Sequence, residues 1–165
     1  MKTIKILGLL LAMVVGTLAV NAQTKTYNKY GVSMTYPSCL VLDEEDYSDG
    51  ELNLVFSDVD DLSGMLVLVS SNEDMLRGIE FLGIETVFNM MKLEVMSEFE
   101  DAESGDIKTT DSSVVMPFTM SEDGVSVNGE MAFRIQGNKI IVTVVLGYGN
   151  EKFNALKQAV KTLKV

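Results

Sequence analysis

The chain has no histidine and no tryptophan, and its 165 residues hold one cysteine, two prolines and 13 basic against 24 acidic side chains. Without histidine, the commonest general base and the commonest transition-metal ligand are gone, and every triad or dyad that depends on His is excluded. Without tryptophan, and with most of its tyrosines near the N-terminus, the chain lacks the sugar-stacking aromatics that accompany paired-carboxylate glycoside hydrolysis. A single cysteine, Cys39, cannot form an intramolecular disulfide, so the fold rests on its core. No cysteine precedes Gln23, which removes lipid attachment behind a leader. The acidic excess repels phosphate backbones and anionic lipid, so neither nucleic acid nor a membrane surface is an expected partner.

Long apolar runs are scarce too, with one exception at the start. Lys2 and Lys5 form a short basic head, and Ile6 to Val20 is apolar apart from Gly8, Gly16 and Thr17. Val20-Asn21-Ala22 puts small or tolerated residues at the −3 and −1 positions of a cleavage site. The run is short of the roughly 20 residues a spanning helix needs, and polar Gln23, Thr24 and Lys25 follow it rather than a basic stop-transfer flank. Residues 1–22 read as a cleavable signal peptide, cut after Ala22. The functional unit is then Gln23–Val165, secreted or periplasmic, without a stable membrane anchor. Losing Lys2 and Lys5 makes it two charges more negative than the −11 of the whole chain. It is long enough for a single domain, 23–165, with a proper core.

What is present reads as strands, then helices, then strands, then a helix. Val32, Met34 and Tyr36 alternate with Ser33 and Thr35, as do Leu52, Leu54 and Phe56 with their neighbours. Met65 to Val69 is a continuous apolar run, expected to be buried on both faces. Ser71-Asn72-Glu73-Asp74 is a helix start. Met75, Leu76, Ile79 and Leu82 make one helical face, Glu73 and Arg77 pair at i, i+4, and Gly83 breaks the helix before spacing resumes to about Phe99. Ile107–Thr110 and Val114–Met120 follow as strands, with Pro117 indicating an edge or bulge. Val125 to Ile135, a Gly137-Asn138 turn and the apolar Ile140–Leu146 predict a hairpin whose second arm is central. Asn150 is the expected cap of a last helix with Phe153, Leu156, Val160 and Leu163 inward and Lys157, Lys161 and Lys164 in water. Short turns imply antiparallel pairing, and helices must cover sheet faces. The fold class is α+β, an antiparallel sheet of about six strands flanked by helices.

Tyr30-Gly31-Val32-Ser33-Met34-Thr35-Tyr36-Pro37 resembles the opening of PsbP/Mog1/DcrB-like domains. Asp123–Phe133 and Phe153–Val165 fall where those domains have their last hairpin and terminal helix, while Cys39-Leu40 stands where many have Gly-Trp. The resemblance implies an α/β/α sandwich. It implies no catalytic motif, since members of the group serve varied accessory or binding roles.

Three constellations are candidates for chemistry. The acidic loop Asp43, Glu44, Glu45, Asp46 and Asp49 offers oxygen ligands or a face for a basic partner. It fails the EF-hand pattern, because counting from Gly50 puts Tyr47 at a ligand position and Phe56 at the twelfth; Asp58–Gly64 and Asp101–Asp106 fail likewise. Cys39, with acidic neighbours and no base, reads as a buried or half-buried structural residue. Met90, Met91, Met96, Met116 and Met120 read as core filler or as the lining of an adaptable groove. Gly147-Tyr148-Gly149, ahead of the last helix, offers backbone N–H groups to an anion. The sum is an exported, non-catalytic accessory domain that binds another protein, with an inhibitor or immunity role as one form. The alternative is a carrier of a small ligand or metal ion. No cofactor, catalytic residue or metal ligand is expected.

Overall fold

The computed structural model describes residues 23–59, 63–97, 99, 101–122 and 124–165. The expected signal peptide over 1–22 therefore lies outside the described residues, as do Asp60, Asp61, Glu100 and Asp123 of the expected acidic turns.

The elements run β1 (Thr24–Lys29), β2 (Val32–Pro37), β3 (Leu40–Ser48), β4 (Glu51–Asp58), β5 (Gly64–Ser70), α1 (Glu73–Leu82), α2 (Ile84–Ser97), β6 (Glu103–Ser104), β7 (Lys108–Thr110), β8 (Ser113–Glu122), β9 (Val125–Gln136), β10 (Lys139–Gly147) and α3 (Gly149–Lys161). Strands β1 and β2 form a separate hairpin. The other eight make one antiparallel sheet in the order β3-β4-β5-β10-β9-β8-β6, with β7 also on β8. The α+β expectation holds, but the sheet is larger than about six strands. The main reason is β3. Its acidic run, expected as a loop, is a nine-residue edge strand carrying Asp43, Glu44, Glu45 and Asp46, and only Asp49 sits in the turn that follows. Charge on an edge strand blocks further pairing, so an acidic composition does not exclude a strand there.

Strand β10 is paired on both edges, by β5 and β9, and both its faces are buried. Ile141 and Val145 enter one core, with Leu52, Leu54, Phe56, Met65, Val67 and Val69. The β1–β2 hairpin and α3 seal that core through Val32, Met34, Tyr36, Leu156 and Leu163. Ser33 and Lys164 exchange backbone hydrogen bonds of 2.9 Å, which ties the chain end to the hairpin. Ile140, Val142 and Val144 enter the opposite core, under α1 and α2, with Phe88, Met116, Met131 and Phe133.

Helix α1 starts where expected, with Asn72 Oδ1 accepting from the Met75 N–H at 3.0 Å. It stops at Gly83, whose φ of 85° favours glycine and whose N–H reaches the Ile79 carbonyl at 2.8 Å. Helix α3 departs from expectation, because Tyr148 rather than Asn150 occupies the cap position, with no side-chain capping bond. Lys157 is not simply in water either: it pairs with Glu130 on β9 and lies 5.2 Å over the Phe153 ring. Pro117 sits in β8 beside the gap between β6 and β7. Its carbonyl accepts from Gly105 on that side, so its missing N–H faces the interrupted edge rather than β9.

Candidate functional site

The two cores are unequally closed. Buried residues of α2 stop at Ile84, Val87 and Phe88. Beyond Phe88, Met91, Val95 and Phe99 are only half-buried, and a groove of about 540 Å³ opens between them and the sheet. Its floor is two cross-strand rows on one face, Asn53–Leu68–Val142 and Val55–Leu66–Val144, followed by the shorter row Gly64–Leu146. The last row is low, because Gly64 has no side chain and a Cβ there would lie 2.9 Å from the Phe56 carbonyl oxygen. Phe56 and Met65 border the groove, although their side chains belong to the other core. Asn53 on the floor and Glu94 on the roof are the polar side chains of this lining; Lys92 is not part of it. The size and apolar character are those of a small-molecule site.

The acidic candidates join this site in part, through a register shift. Strand β3 bulges between Leu42 and Glu44, so Asp43 has no partner in β4. Past the bulge, Glu44 pairs with Val55 and Asp46 with Asn53, which puts both on the groove face. Glu45 pairs with Leu54 and so faces the hairpin side, where Lys29 Nζ meets its carboxylate at 2.8 Å. Tyr47, also on that side, stacks on Tyr30 with ring centroids 4.3 Å apart. Beyond Asp46, Glu51 accepts a 2.8 Å hydrogen bond from Ser70 Oγ and closes that end of the groove face. Sequence reasoning found the acids and offered a methionine-lined groove as one reading, but did not place that groove. Its signal was the run Met65–Val69, expected to be buried on both faces. Met65, Val67 and Val69 are buried, while Leu66 and Leu68 are only half-buried because they floor the groove.

Of the methionines, Met91 and Met65 border the groove, Met116 is fully buried in the core, and Met90 is 60% exposed. The groove is therefore mainly aliphatic. Phe81 and Leu82 on α1 and Leu93 on α2 are exposed as well.

Cys39 is not buried; it is exposed in the turn between β2 and β3. Its thiol pKa is raised by desolvation first and then by its hydrogen bond to Asp58 and that residue's charge. A raised pKa is the reverse of nucleophile activation. Asp58 is 5% exposed and meets Lys152 Nζ at 3.0 Å, an ion pair that pins α3 to the end of β4. The stretch Gly147-Tyr148-Gly149 is structural as well. The Tyr148 N–H donates to Ser63 Oγ at 2.9 Å, and a Cβ on Gly147 would lie 2.4 Å from Phe153 Cα. Among the described residues no three Cys, Asp or Glu side chains come together as metal ligands. Nor, among them, is any helix long and apolar enough to cross a membrane.

An antiparallel sheet with two helices on one face and a hairpin plus terminal helix on the other defines a PsbP-like α+β fold. The chain is similar to the solution structure of cyanobacterial PsbP (CyanoP) from Synechocystis, with TM-score 0.53 and 17% identity over 87% of this chain and 93% of that one. Weaker likenesses are a crystal structure from Bacteroides thetaiotaomicron (TM-score 0.47, 17% identity, 87% of this chain) and a Pseudomonas aeruginosa protein of unknown function (0.41, 10%, 87% of this chain and 97% of that one). The chain spans 48% of the Bacteroides protein's length. No protein-family model and no curated protein matches. The likeness is one of fold, and it bears out the fold implied by Tyr30–Pro37 without transferring a site.

Proposed function

We propose that the chain is an exported, non-catalytic accessory domain that works by reversible binding, with the groove under α2 as its site. The observation that carries this reading is the unequal closure of the two cores. Val55, Leu66, Leu68 and Leu146 are left half-buried around a volume typical of ligand pockets. The absence of histidine and the raised thiol of Cys39 support binding over catalysis. Export is supported by the composition of residues 1–22. The metal-carrier form of the alternative is not carried forward, since the acids of β3 diverge to two faces of the sheet.

The test is to express the full chain in its native host and recover it from the envelope fraction and the medium. Native mass spectrometry should find chains that begin at Gln23 and carry a small adduct lost on denaturation. Met91→Trp, which fills the roof of the groove, should abolish the adduct. Chains found only in the cytosol and beginning at Met1 overturn export, and an adduct that survives Met91→Trp overturns the site.

A second reading, docking of another protein, is favoured by the exposed apolar side chains Phe81, Leu82, Met90 and Leu93 of α1 and α2, of which Phe81 is 89% and Leu93 74% exposed. A pull-down with the tagged chain at low and moderate salt checks it. A stoichiometric partner that is lost on Leu93→Ser supports this reading, and one retained on that variant refutes it.

A further inference from the structure

The groove has a sign as well as a shape. Its lining is mainly aliphatic, with one carboxylate, Glu94, in it and two more beside it on the same sheet face. Glu94 hangs from the roof. Glu44 continues the row Val55–Leu66–Val144 onto the edge strand, and Asp46 continues the row Asn53–Leu68–Val142. Both β3 carboxylates are exposed, and the bulge at Asp43 is what turns them to this side. A ligand whose apolar body lies across those rows therefore ends beside two or three negative charges. That field opposes a fatty acid or any other anionic amphiphile and attracts a cationic one.

We infer that the groove binds a cationic amphiphile, with its chain between α2 and the sheet and its positive end at Glu44, Asp46 and Glu94. The inference rests on the groove being the binding site and adds the ligand's charge. Chain burial supplies affinity, and the carboxylates supply selection, because exposed charge pairs contribute less than buried apolar area.

The experiment is calorimetric titration of the chain with three probes of equal chain length, each below its aggregation concentration: dodecyltrimethylammonium, dodecyl maltoside and dodecanoate. The expected order is ammonium tightest, maltoside next and dodecanoate weakest, with about tenfold between the first and last at low salt, narrowing as salt rises. The triple variant Glu44→Gln, Asp46→Asn, Glu94→Gln should bring ammonium and dodecanoate within about twofold of each other. Met91→Trp and Leu66→Trp, each confirmed folded by circular dichroism, should weaken all three probes. Equal affinities in the parent chain, with loss in the tryptophan variants, overturn the charge inference and leave the groove standing. Binding indifferent to both tryptophans overturns the groove as well. A lysine-rich amphipathic peptide that binds the groove where the alkylammonium does not would replace the small amphiphile with a peptide.

Discussion

The two faces of the central sheet are built from the same residue types, yet one is sealed and the other is not. On the α3 side, Leu54 and Phe56 are 0% and 1% exposed, capped by the hairpin and by a helix tied down at both ends. Lys152 holds that helix to Asp58 at its start, and the Thr162 hydroxyl donates to the Thr35 carbonyl at 3.1 Å at its end. On the α2 side, the helix is buried only at Ile84, Val87 and Phe88; beyond them Met91, Val95 and Phe99 pack against the core half-buried, and Leu66 and Leu68 are left half-covered. A leucine in a strand therefore does not report how it is covered. That depends on where the overlying helix is fastened.

The sharpest way to break this comparison is to truncate one leucine on each face. Leu54→Ala should cost about 2–5 kcal/mol, the range for a fully buried leucine whose cavity cannot collapse. Leu66→Ala on the neighbouring strand should cost about half that or less, because part of its surface already meets solvent. Urea unfolding of both variants checks the pair. Equal losses would mean that the groove closes over Leu66 in solution.

A methyl group added where α3 touches the sheet comes next. Gly147→Ala places a Cβ against Phe153 backbone, which cannot rotate away. The helix must shift, at about 1–3 kcal/mol by the usual cost of overpacking. Gly78, inside α1, is the control on the other face. A Cβ there meets nothing within 4 Å and its backbone is helical, so Gly78→Ala adds helix propensity without a clash. Thermal unfolding should separate the two, with Gly147→Ala the less stable.

The Asp58–Lys152 pair is a weaker fastener, because Lys152 is 41% exposed and can return to water. Asp58→Asn should cost about 1–2 kcal/mol, below the range for a fully buried pair. The same variant removes the charge, and weakens the hydrogen bond, that raise the Cys39 thiol. The pH midpoint of Cys39 alkylation should therefore fall while staying above the ordinary thiol value, since desolvation, the largest cause, remains. An unchanged midpoint would show that desolvation alone sets it.

How much of this was legible in the sequence follows from where each signal sits. Alternation at Val32–Tyr36 and Leu52–Phe56, the Asn72 start, the Gly83 break and the Gly137-Asn138 turn are local, and the structure has them all. Strand β3 was hidden because pairing with β4 and its edge position outweigh its composition. A methionine-lined groove was one reading, but its place was hidden, because nothing in Met91, Glu94 or Val95 says that α2 stays only half-covered against the sheet there. The rim was hidden most deeply. Asp43 to Asp46 read as one acidic block, and a single bulge divides it, sending Glu44 and Asp46 to the groove and Glu45 to Lys29.

The smallest effect tests how complete the sealed face is. Tyr27 is 5% exposed, and its hydroxyl makes no hydrogen bond among the described residues. Burial, then the charge of Glu45 and the neighbouring Tyr30, push its pKa from 10.0 to about 12. The folded state thus holds the phenol proton that the unfolded chain releases near pH 10. Below pH 10 both states are protonated and the group is neutral to stability. Between pH 10 and 12 only the unfolded state ionises, so stability falls as pH rises through that window. Tyr27→Phe removes a buried hydroxyl that has no partner to lose, so near neutral pH it should change stability by less than about 0.5 kcal/mol. Its visible effect should be a shallower alkaline decline in urea midpoint than that of the parent chain. Identical declines would assign the alkaline loss to other groups, and a large loss at neutral pH would mean that the Tyr27 hydroxyl is bonded in solution, through water for instance, on the face that otherwise excludes it.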